Sequence, residues 1–287
     1  MNFSSMTRAL RLPRLTGAET GLLLGMAALM ALALFGPALP ASAHQHNFAD
    51  QRAWWGISCA LDVLSNLPFA LAGLWGLVAL RRVAPGRLDE TSHALAALFF
   101  VGLVFTSMGS SLYHWQPQDA GLLWDRLGMV LPFAGLLGLA TAGRVSKRAG
   151  GAMAGLVLMA GALAVVGWAH TGNLLPWALV QLGGMLLVLA LACLPRRDSA
   201  LALNLGAVIA LYALAKLFEA ADHWVFAATQ QWVSGHSVKH LLAAGAAGPV
   251  LYALYALRDN RLAGAPRLIA CGQNGAHTVV AGVHPGA

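Results

Sequence analysis

The chain alternates between apolar blocks of about 20 residues and short polar connections, and a helix of that length crosses the hydrocarbon core of a bilayer. Charged residues make up 10% of the chain and hydrophobic residues 58%. Soluble domains have about 25% charged residues. We therefore predict an all-α integral membrane protein, a bundle of seven transmembrane helices over 57–80, 94–113, 122–142, 152–169, 174–194, 201–226 and 238–257.

An additional apolar segment, 21–35, precedes these spans. Three arginines stand before it and the small-residue stretch ALPASA follows it, ending at Ala43. This order is typical of a secretory signal peptide, but an uncleaved eighth span fits the same residues. Both alternatives stay open. We divide the chain into the N-terminal segment 1–43, a seven-helix domain over 44–257 and a flexible tail over 258–287.

The formal net charge of +7 is not spread evenly along the chain. Alternate connections contain its basic residues, namely Arg81, Arg82, Arg87, Arg144, Lys147, Arg148, Arg196, Arg197, Arg258, Arg261 and Arg267. The other connections, 115–121, 170–173 and 227–235, contain neither lysine nor arginine. This is the positive-inside pattern, so we predict that the C-terminus is cytoplasmic. Because the charge follows the topology, we do not expect a nucleic-acid partner.

Ionisable residues inside spans are costly, so each is a functional hypothesis. The informative ones are Asp62, His114, Asp125, Lys216, Glu219, Asp222, His223, His236 and His240. With the predicted topology, all of them fall at the outer end of a helix, although they come from five different spans. A pattern based on loop charges alone thus predicts one shared depth for these side chains.

The stretch SGHSVKHLLAA places His236 and His240 four residues apart, on one helix face. The pair by itself is also compatible with hydrogen bonding at a helix end. Adding His114 at the same depth gives three neutral nitrogen donors, a set that suits zinc with a fourth position free for water. Two ligands on one helix do not face each other across a haem, which argues against a bis-histidine haem protein.

A general base is expected near this site, because Ser237 stands where the zincin motif HExxH has its glutamate. Asp125 is the best candidate, although it could instead pair with Arg126. Ser110, one turn before His114, could donate a hydrogen bond to an oxyanion or bond its own helix. We expect Asp62 and Asn66 to orient a histidine, Lys216 to neutralise Glu219, and Lys239 to extend to the surface.

These residues lie in motifs that are similar to those of a known family. SSLYHWQPQDAGLLWDRLGM (110–129), SGHSVKHLLAA (234–244) and DVLSNLPF (62–69) together resemble the alkaline ceramidases, particularly bacterial members. That family belongs to a group of seven-span membrane hydrolases that also includes the adiponectin-type receptors. The resemblance covers about 54–257 and implies an intramembrane zinc amidase that cleaves ceramide-like lipids into a fatty acid and an amino lipid.

Within the resemblance, His114, His236 and His240 would bind Zn²⁺, Asp125 would be the general acid/base and Ser110 would stabilise the oxyanion. The implied partners are an N-acyl lipid such as ceramide and the membrane lipids. The implied location is a bacterial inner membrane, with the site near the periplasmic face. We do not expect calcium activation, because 44–62 has few carboxylates where eukaryotic relatives have an acidic site. A receptor or sensor with a structural zinc is the alternative function.

Overall fold

The computed structural model of the chain describes residues 14–198 and 200–263, the last six as backbone. These residues form helices joined by short connections, with two isolated β-bridges and no strand among them. The helices are α1 Gly17–Phe35, α2 Ala60–Leu64, α3 Leu67–Arg81, α4 Glu90–Trp115, α5 Asp119–Arg144, α6 Lys147–Thr171, α7 Leu175–Ala178, α8 Gly184–Ala192, α9 Leu205–Ala220, α10 Asp222–Ala228, α11 Gly235–Gly245 and α12 Ala247–Ala263. A π-helical turn, Leu179–Gly183, joins α7 to α8. The predicted all-α membrane bundle is confirmed.

Seven helical segments of the described chain are long and apolar enough to cross a membrane. They are Gly17–Phe35, Ala60–Arg81, Glu90–Trp115, Asp119–Arg144, Lys147–Thr171, Leu175–Ala192 and Gly235–Leu257. Six of them correspond to predicted spans, and the remaining one is the N-terminal segment. Large apolar side chains on the outside of the bundle, such as Leu24, Leu163 and Leu186, are exposed. Such a surface suits contact with lipid.

The predicted span 201–226 is not one continuous helix. The helix α9 has 16 residues and ends at Ala220, and α10 begins at Asp222. The carboxylate of Asp222 accepts hydrogen bonds from the backbone N–H of Ala49 at 2.9 Å and of His236 at 2.8 Å. The side chain of Asp222 therefore connects the junction between α9 and α10 to two other segments, and buried N–H groups need such partners.

The helix α1 is hydrogen-bonded near both of its ends to residues at or next to the two ends of α6. Near its start, the buried carboxylate of Glu19 accepts hydrogen bonds from Arg148 at 2.7 and 2.5 Å and from Ser146 at 2.6 Å. Just after its end, the backbone N–H of Leu39 donates to Asn173 at 3.0 Å. The two helices are therefore parallel. Residues 1–13 lie outside the described part, and both alternatives for 1–43, a cleaved signal peptide and an uncleaved span, stay open.

The basic connections meet at one end of the bundle. The bonds between them are Arg87 to the carbonyl of Leu257, Arg144 to that of Leu194, Arg197 to that of Ala142, and Lys147 to the carboxylate of Asp89. Segments from across the chain are thus brought together, as the charge pattern predicted. The helix α12 also ends on this side and extends to Ala263, while 264–287 of the predicted tail lie outside the described residues.

Close packing between α4 and α5 depends on glycine. A Cβ atom added to Gly102 would lie 2.4 Å from the backbone nitrogen of Pro132, and one added to Gly109 would lie 2.4 Å from the carbonyl oxygen of Trp124. From the other helix, a Cβ on Gly135 would lie 2.5 Å from the nitrogen of Phe99. The two backbones touch at these points, which is how small residues let membrane helices approach each other. This contact holds the end of α4 against the start of α5.

We expect Gly135→Ala to destabilise the bundle, because the added methyl group meets backbone that cannot move aside. Overpacking of this kind lowers the free energy of unfolding by about 1–3 kcal/mol. Thermal unfolding in detergent measures the effect. Gly155→Ala is the control, since nothing lies within 4 Å of its added Cβ. Equal melting temperatures for the two variants would contradict the close approach.

Candidate metal centre

Three histidines meet at the end of the bundle opposite the basic connections. His114 lies in the last turn of α4, and His236 and His240 lie in the first turns of α11. All three are buried, with exposed fractions of 1%, 7% and 2%. One ring nitrogen from each lies within 4.8 Å of the others. The structure thus brings together the three histidines that the sequence grouped, as a set that could hold a metal ion.

The hydrogen bonds of His240 fix which of its nitrogens is free. The hydroxyl of Ser65 donates to the carbonyl oxygen of Asp62 at 2.9 Å, so its oxygen is left to accept from Nδ1 of His240 at 2.7 Å. With the proton on Nδ1, the lone pair is on Nε2. This atom is buried and has no hydrogen-bond partner among the described residues. A metal-binding histidine has this arrangement, in which the second ring nitrogen is held by a neighbour.

The other two histidines also present ring nitrogens to each other. Nε2 of His114 and Nε2 of His236 are 3.2 Å apart, and the ammonium of Lys239 lies 3.0 Å from the latter. Because an ammonium has only donors, Nε2 of His236 is an acceptor. Three buried imidazoles whose ring nitrogens lie this close together fit a cation that prefers nitrogen ligands. The residues present therefore fit a metal ion, and which metal it is belongs to the proposal below.

Ser65 lies beside the ring of His240 because the first core span is interrupted at this point. Pro68 stands in the first turn of α3 and supplies no N–H, and Ser65 and Asn66 separate α2 from α3. The expected orientation of a histidine by Asp62 and Asn66 takes another form at His240, whose ring is held by Ser65 and contacts the backbone carbonyl of Asp62 rather than its carboxylate. The carboxylate of Asp62 instead accepts hydrogen bonds from Ser234 at 3.0 Å and Ser237 at 2.6 Å, which fixes the start of α11.

We expect Ser65→Ala to weaken metal binding about 10- to 100-fold, the usual cost of removing a group that orients a ligand. The change leaves all three histidines in place but frees the ring of His240 to rotate. A competition titration with a chromophoric chelator measures the affinity. Ser111→Ala is the control, because its hydroxyl faces the carbonyl of Val63 rather than a histidine. Equal affinities in the two variants would remove Ser65 from the site.

Asp125 is buried in the first turns of α5 and lines the same cavity as His114 and His236. The hydroxyl of Ser110, itself 3% exposed, approaches its carboxyl group. The alternative ion pair with Arg126 is not formed, since Asp125 makes no ion pair with any described residue. Adjacent residues on a helix point in different directions, which explains the separation. The predicted acid/base residue and the predicted hydroxyl donor are thus neighbours.

Lys239 does not extend to the surface as predicted. Its ammonium donates to Glu219 at 3.0 Å as well as contacting His236, and its side chain is 22% exposed. Lys216 also pairs with Glu219, which confirms the predicted neutralisation but adds a second lysine to it. The spacing could have shown this, because Lys239 follows His236 by three residues and is its neighbour on the helix. His223 is bonded to the carbonyl of Asn47 and lies outside the histidine cluster.

The connection before α2 covers the histidines, which sequence reasoning missed. Phe48 is 5% exposed, and its ring centroid lies 4.5 Å from that of His114 and 4.7 Å from that of His236. The bond from Ala49 to Asp222 holds this segment in place. Cys59 is also buried, but it does not belong to the group of described residues that could hold a metal ion.

A cavity of about 580 Å³ opens beside the cluster. Its polar end is formed by His114, Asp125, Arg126, Glu219, His236 and Lys239. Its remaining walls are mostly apolar and include Phe99, Leu103, Phe133, Leu136, Trp177 and Val208. Binding sites for small molecules have this size and this combination of apolar walls with a few polar groups. The cavity suits a ligand with one polar group and a long apolar part.

Comparisons with protein-family models and with curated proteins found no match to this chain. The resemblance to the alkaline ceramidases therefore rests on the motifs of the sequence.

Proposed function

We propose that the protein is a zinc-dependent intramembrane amidase that hydrolyses the N-acyl amide bond of ceramide-like lipids to a fatty acid and an amino lipid. The observation that carries this proposal is the cavity, in which two members of the buried histidine cluster, His114 and His236, and the buried carboxyl group of Asp125 adjoin apolar walls inside a membrane bundle. A lipid amide has the matching shape, with one hydrolysable polar bond and long apolar chains. The motifs that resemble the alkaline ceramidases support the same substrate class.

His114, His236 and His240 would hold the zinc ion. When bound, zinc supplies Lewis acidity and lowers the pKa of a water molecule. Zinc is favoured over harder cations because all three donors are imidazole nitrogens. The shielding of the cluster by Phe48 excludes bulk water from the histidines, and electrostatic interactions are stronger in such a place.

Asp125 and Ser110 would carry out the proton transfer and the charge stabilisation. Asp125 would take a proton from the attacking water and return it to the departing nitrogen, so the carboxylate ends each cycle unchanged. Ser110 would donate a hydrogen bond to the carbonyl oxygen as negative charge develops on it. The acyl chain would lie along the apolar walls, between residues such as Phe99 and Leu136.

A hydrolysis assay tests this function against its alternative, a receptor or sensor with a structural zinc. The purified zinc-loaded protein is incubated with a fluorescent ceramide and with a fluorescent N-acyl amino lipid, and the fatty acid product is separated and quantified. We expect multiple turnovers with at least one of them. Zinc at full occupancy with no product from either lipid would favour the receptor.

We further propose that the protein is in a bacterial inner membrane, with the metal centre near the periplasmic face and the C-terminus cytoplasmic. The clustering of the basic connections at the opposite end of the bundle supports this orientation through the positive-inside rule. A fluorescent reporter fused to the C-terminus, which matures only in the cytoplasm, tests it. Absence of fluorescence from a fusion that is present in the membrane would reverse the orientation.

A further inference from the structure

Arg126 is buried at the polar end of the cavity without a charged partner. It is 7% exposed and lines the same cavity as His114 and Asp125. Its Nη1 is buried and has no hydrogen-bond partner within 14–198 and 200–263. Its guanidinium forms no ion pair with those residues either, although Asp125 is adjacent in sequence.

The position of the guanidinium is set by Trp168. Its central carbon lies 3.8 Å from the centroid of the Trp168 ring, at the distance of a cation–π contact. This contact stabilises the charge through the face of the guanidinium but satisfies none of the N–H groups on its edge. The edge, including Nη1, is therefore the part of Arg126 that is left to bind something else.

A buried arginine that forms no ion pair is energetically unfavourable. A charged side chain inside a membrane protein is costly, and such residues pair with one another or mark the path of a ligand. A guanidinium binds carboxylate and phosphate groups with two parallel hydrogen bonds, and these are among the strongest in proteins. The ligand that satisfies Arg126 is therefore an anion of one of these two types.

The charge of the cavity leads to the same conclusion. Its lining contains three cations, Arg126, Lys216 and Lys239, and two carboxylates. Glu219 is shared by both lysines, and Asp125 is not paired with Arg126. The polar end thus has an excess positive charge in a place of low dielectric, where a single negative charge on the ligand would balance it.

We propose that Arg126 binds an anionic group on the polar part of the lipid, so that the preferred substrate is an acidic N-acyl lipid with a carboxylate or a phosphate near its amide. The substrate assignment rests on the proposed amidase function. The anion site does not, because binding by Arg126 requires no hydrolysis. In this arrangement Arg126 and Trp168 determine specificity, and they position the amide next to Asp125 and the histidines.

Three matched ligands test the site. N-lauroylglycine has a carboxylate, N-lauroyl-O-phosphoethanolamine has a phosphate and N-lauroylethanolamine has a neutral hydroxyl, on the same acyl amide. Their dissociation constants are measured by isothermal titration calorimetry on the zinc-loaded full chain with the Asp125→Asn substitution, so that the ligands stay intact. We expect at least one anionic ligand to bind about 10- to 100-fold more tightly than the neutral one, the usual range for hydrogen bonds to a charged group. The anionic ligand that binds more tightly shows whether the site prefers a carboxylate or a phosphate.

Variants of Arg126 show whether this residue is responsible for the tighter binding of the anionic ligands. Arg126→Gln should reduce the preference for the anion to about one, and Arg126→Lys should keep part of it, because a lysine retains the charge but not the paired hydrogen bonds. Arg81→Gln, an exposed arginine at the end of α3, is the control and should keep the full preference. If Arg126→Gln does not fold, the reduced preference of Arg126→Lys carries the test.

Two results would overturn the anion site. One is equal binding of all three ligands by the protein with Arg126 intact, and the other is an undiminished preference in both Arg126 variants. Either result would leave Arg126 as a structural partner of Trp168 only. Failure of the amidase proposal is a different outcome, since the wild-type chain would then release no laurate from any ligand while the binding preference persisted.

Discussion

Replacing His240 with alanine is expected to remove the metal from the protein. We expect the purified wild-type chain to contain about one zinc ion, as a three-histidine site does, and the variant to contain less than about a tenth of that. The effect is large because Nδ1 of His240 is fixed by Ser65, which leaves its buried Nε2 without a hydrogen-bond partner among the described residues and free to bind a metal. Metal analysis by mass spectrometry of the purified protein measures the zinc-to-protein ratio.

The control for this experiment is a variant of a histidine outside the cluster. His170 is exposed at the end of α6, so His170→Ala should keep about one zinc. The wild-type protein should also melt at a lower temperature after treatment with a chelator, because a ligand that binds only the folded state stabilises it by about 4 kcal/mol at a thousand times its Kd. Full zinc content in the double variant His236→Ala, His240→Ala would eliminate the metal site.

The sequence predicted where the site lies better than it predicted which residues contact each other there. Charge in alternate loops placed His114, Asp125 and the pair in α11 at one end of the bundle. In the structure the three histidines form one cluster, and His114, Asp125 and His236 line one cavity. This was possible because the positive-inside pattern and the length of the spans fix the depth of a residue without knowledge of its contacts. The fold class and the grouping of the histidines followed from these two facts.

Contacts between segments far apart in the chain were not predictable in this way. Ser65 reaches His240 only because the span is interrupted before Pro68, and a hydropathy pattern does not show such an interruption. Phe48 comes from a connection with no regular structure. The same holds for the predicted span 201–226, in which the side chain of Asp222 connects the junction between α9 and α10 to two other segments.

The separation of Asp125 from Arg126 has the most consequence for function. Neighbouring residues with opposite charges suggest a local pair, but on a helix they point about 100° apart, and only residues three or four positions apart face each other. Asp125 approaches Ser110, whereas Arg126 rests on Trp168. A carboxylate that is not held by the arginine can exchange protons, and an arginine that is not held by the carboxylate can bind an anion.

Asp125→Asn is expected to abolish hydrolysis while leaving the metal in place. The amide has nearly the same shape as the carboxyl group but does not accept a proton from water, and the loss of a general acid/base lowers the rate by about 10²- to 10⁴-fold. The zinc content should stay at about one, because the three histidines and Ser65 are untouched. Turnover of a fluorescent N-acyl lipid and metal analysis of the same preparation give both values.

The exposed carboxylate on the same helix provides the matched control. Asp119 begins α5, contacts His46 and Gln45, and is not among the described residues that line the cavity, so Asp119→Asn should hydrolyse the lipid at close to the wild-type rate. Loss of zinc from Asp125→Asn would make Asp125 a metal ligand rather than the proton carrier. Hydrolysis by Asp125→Asn at the rate of Asp119→Asn would remove it from the chemistry altogether, and the base would then have to be Glu219, the other carboxylate that lines the cavity.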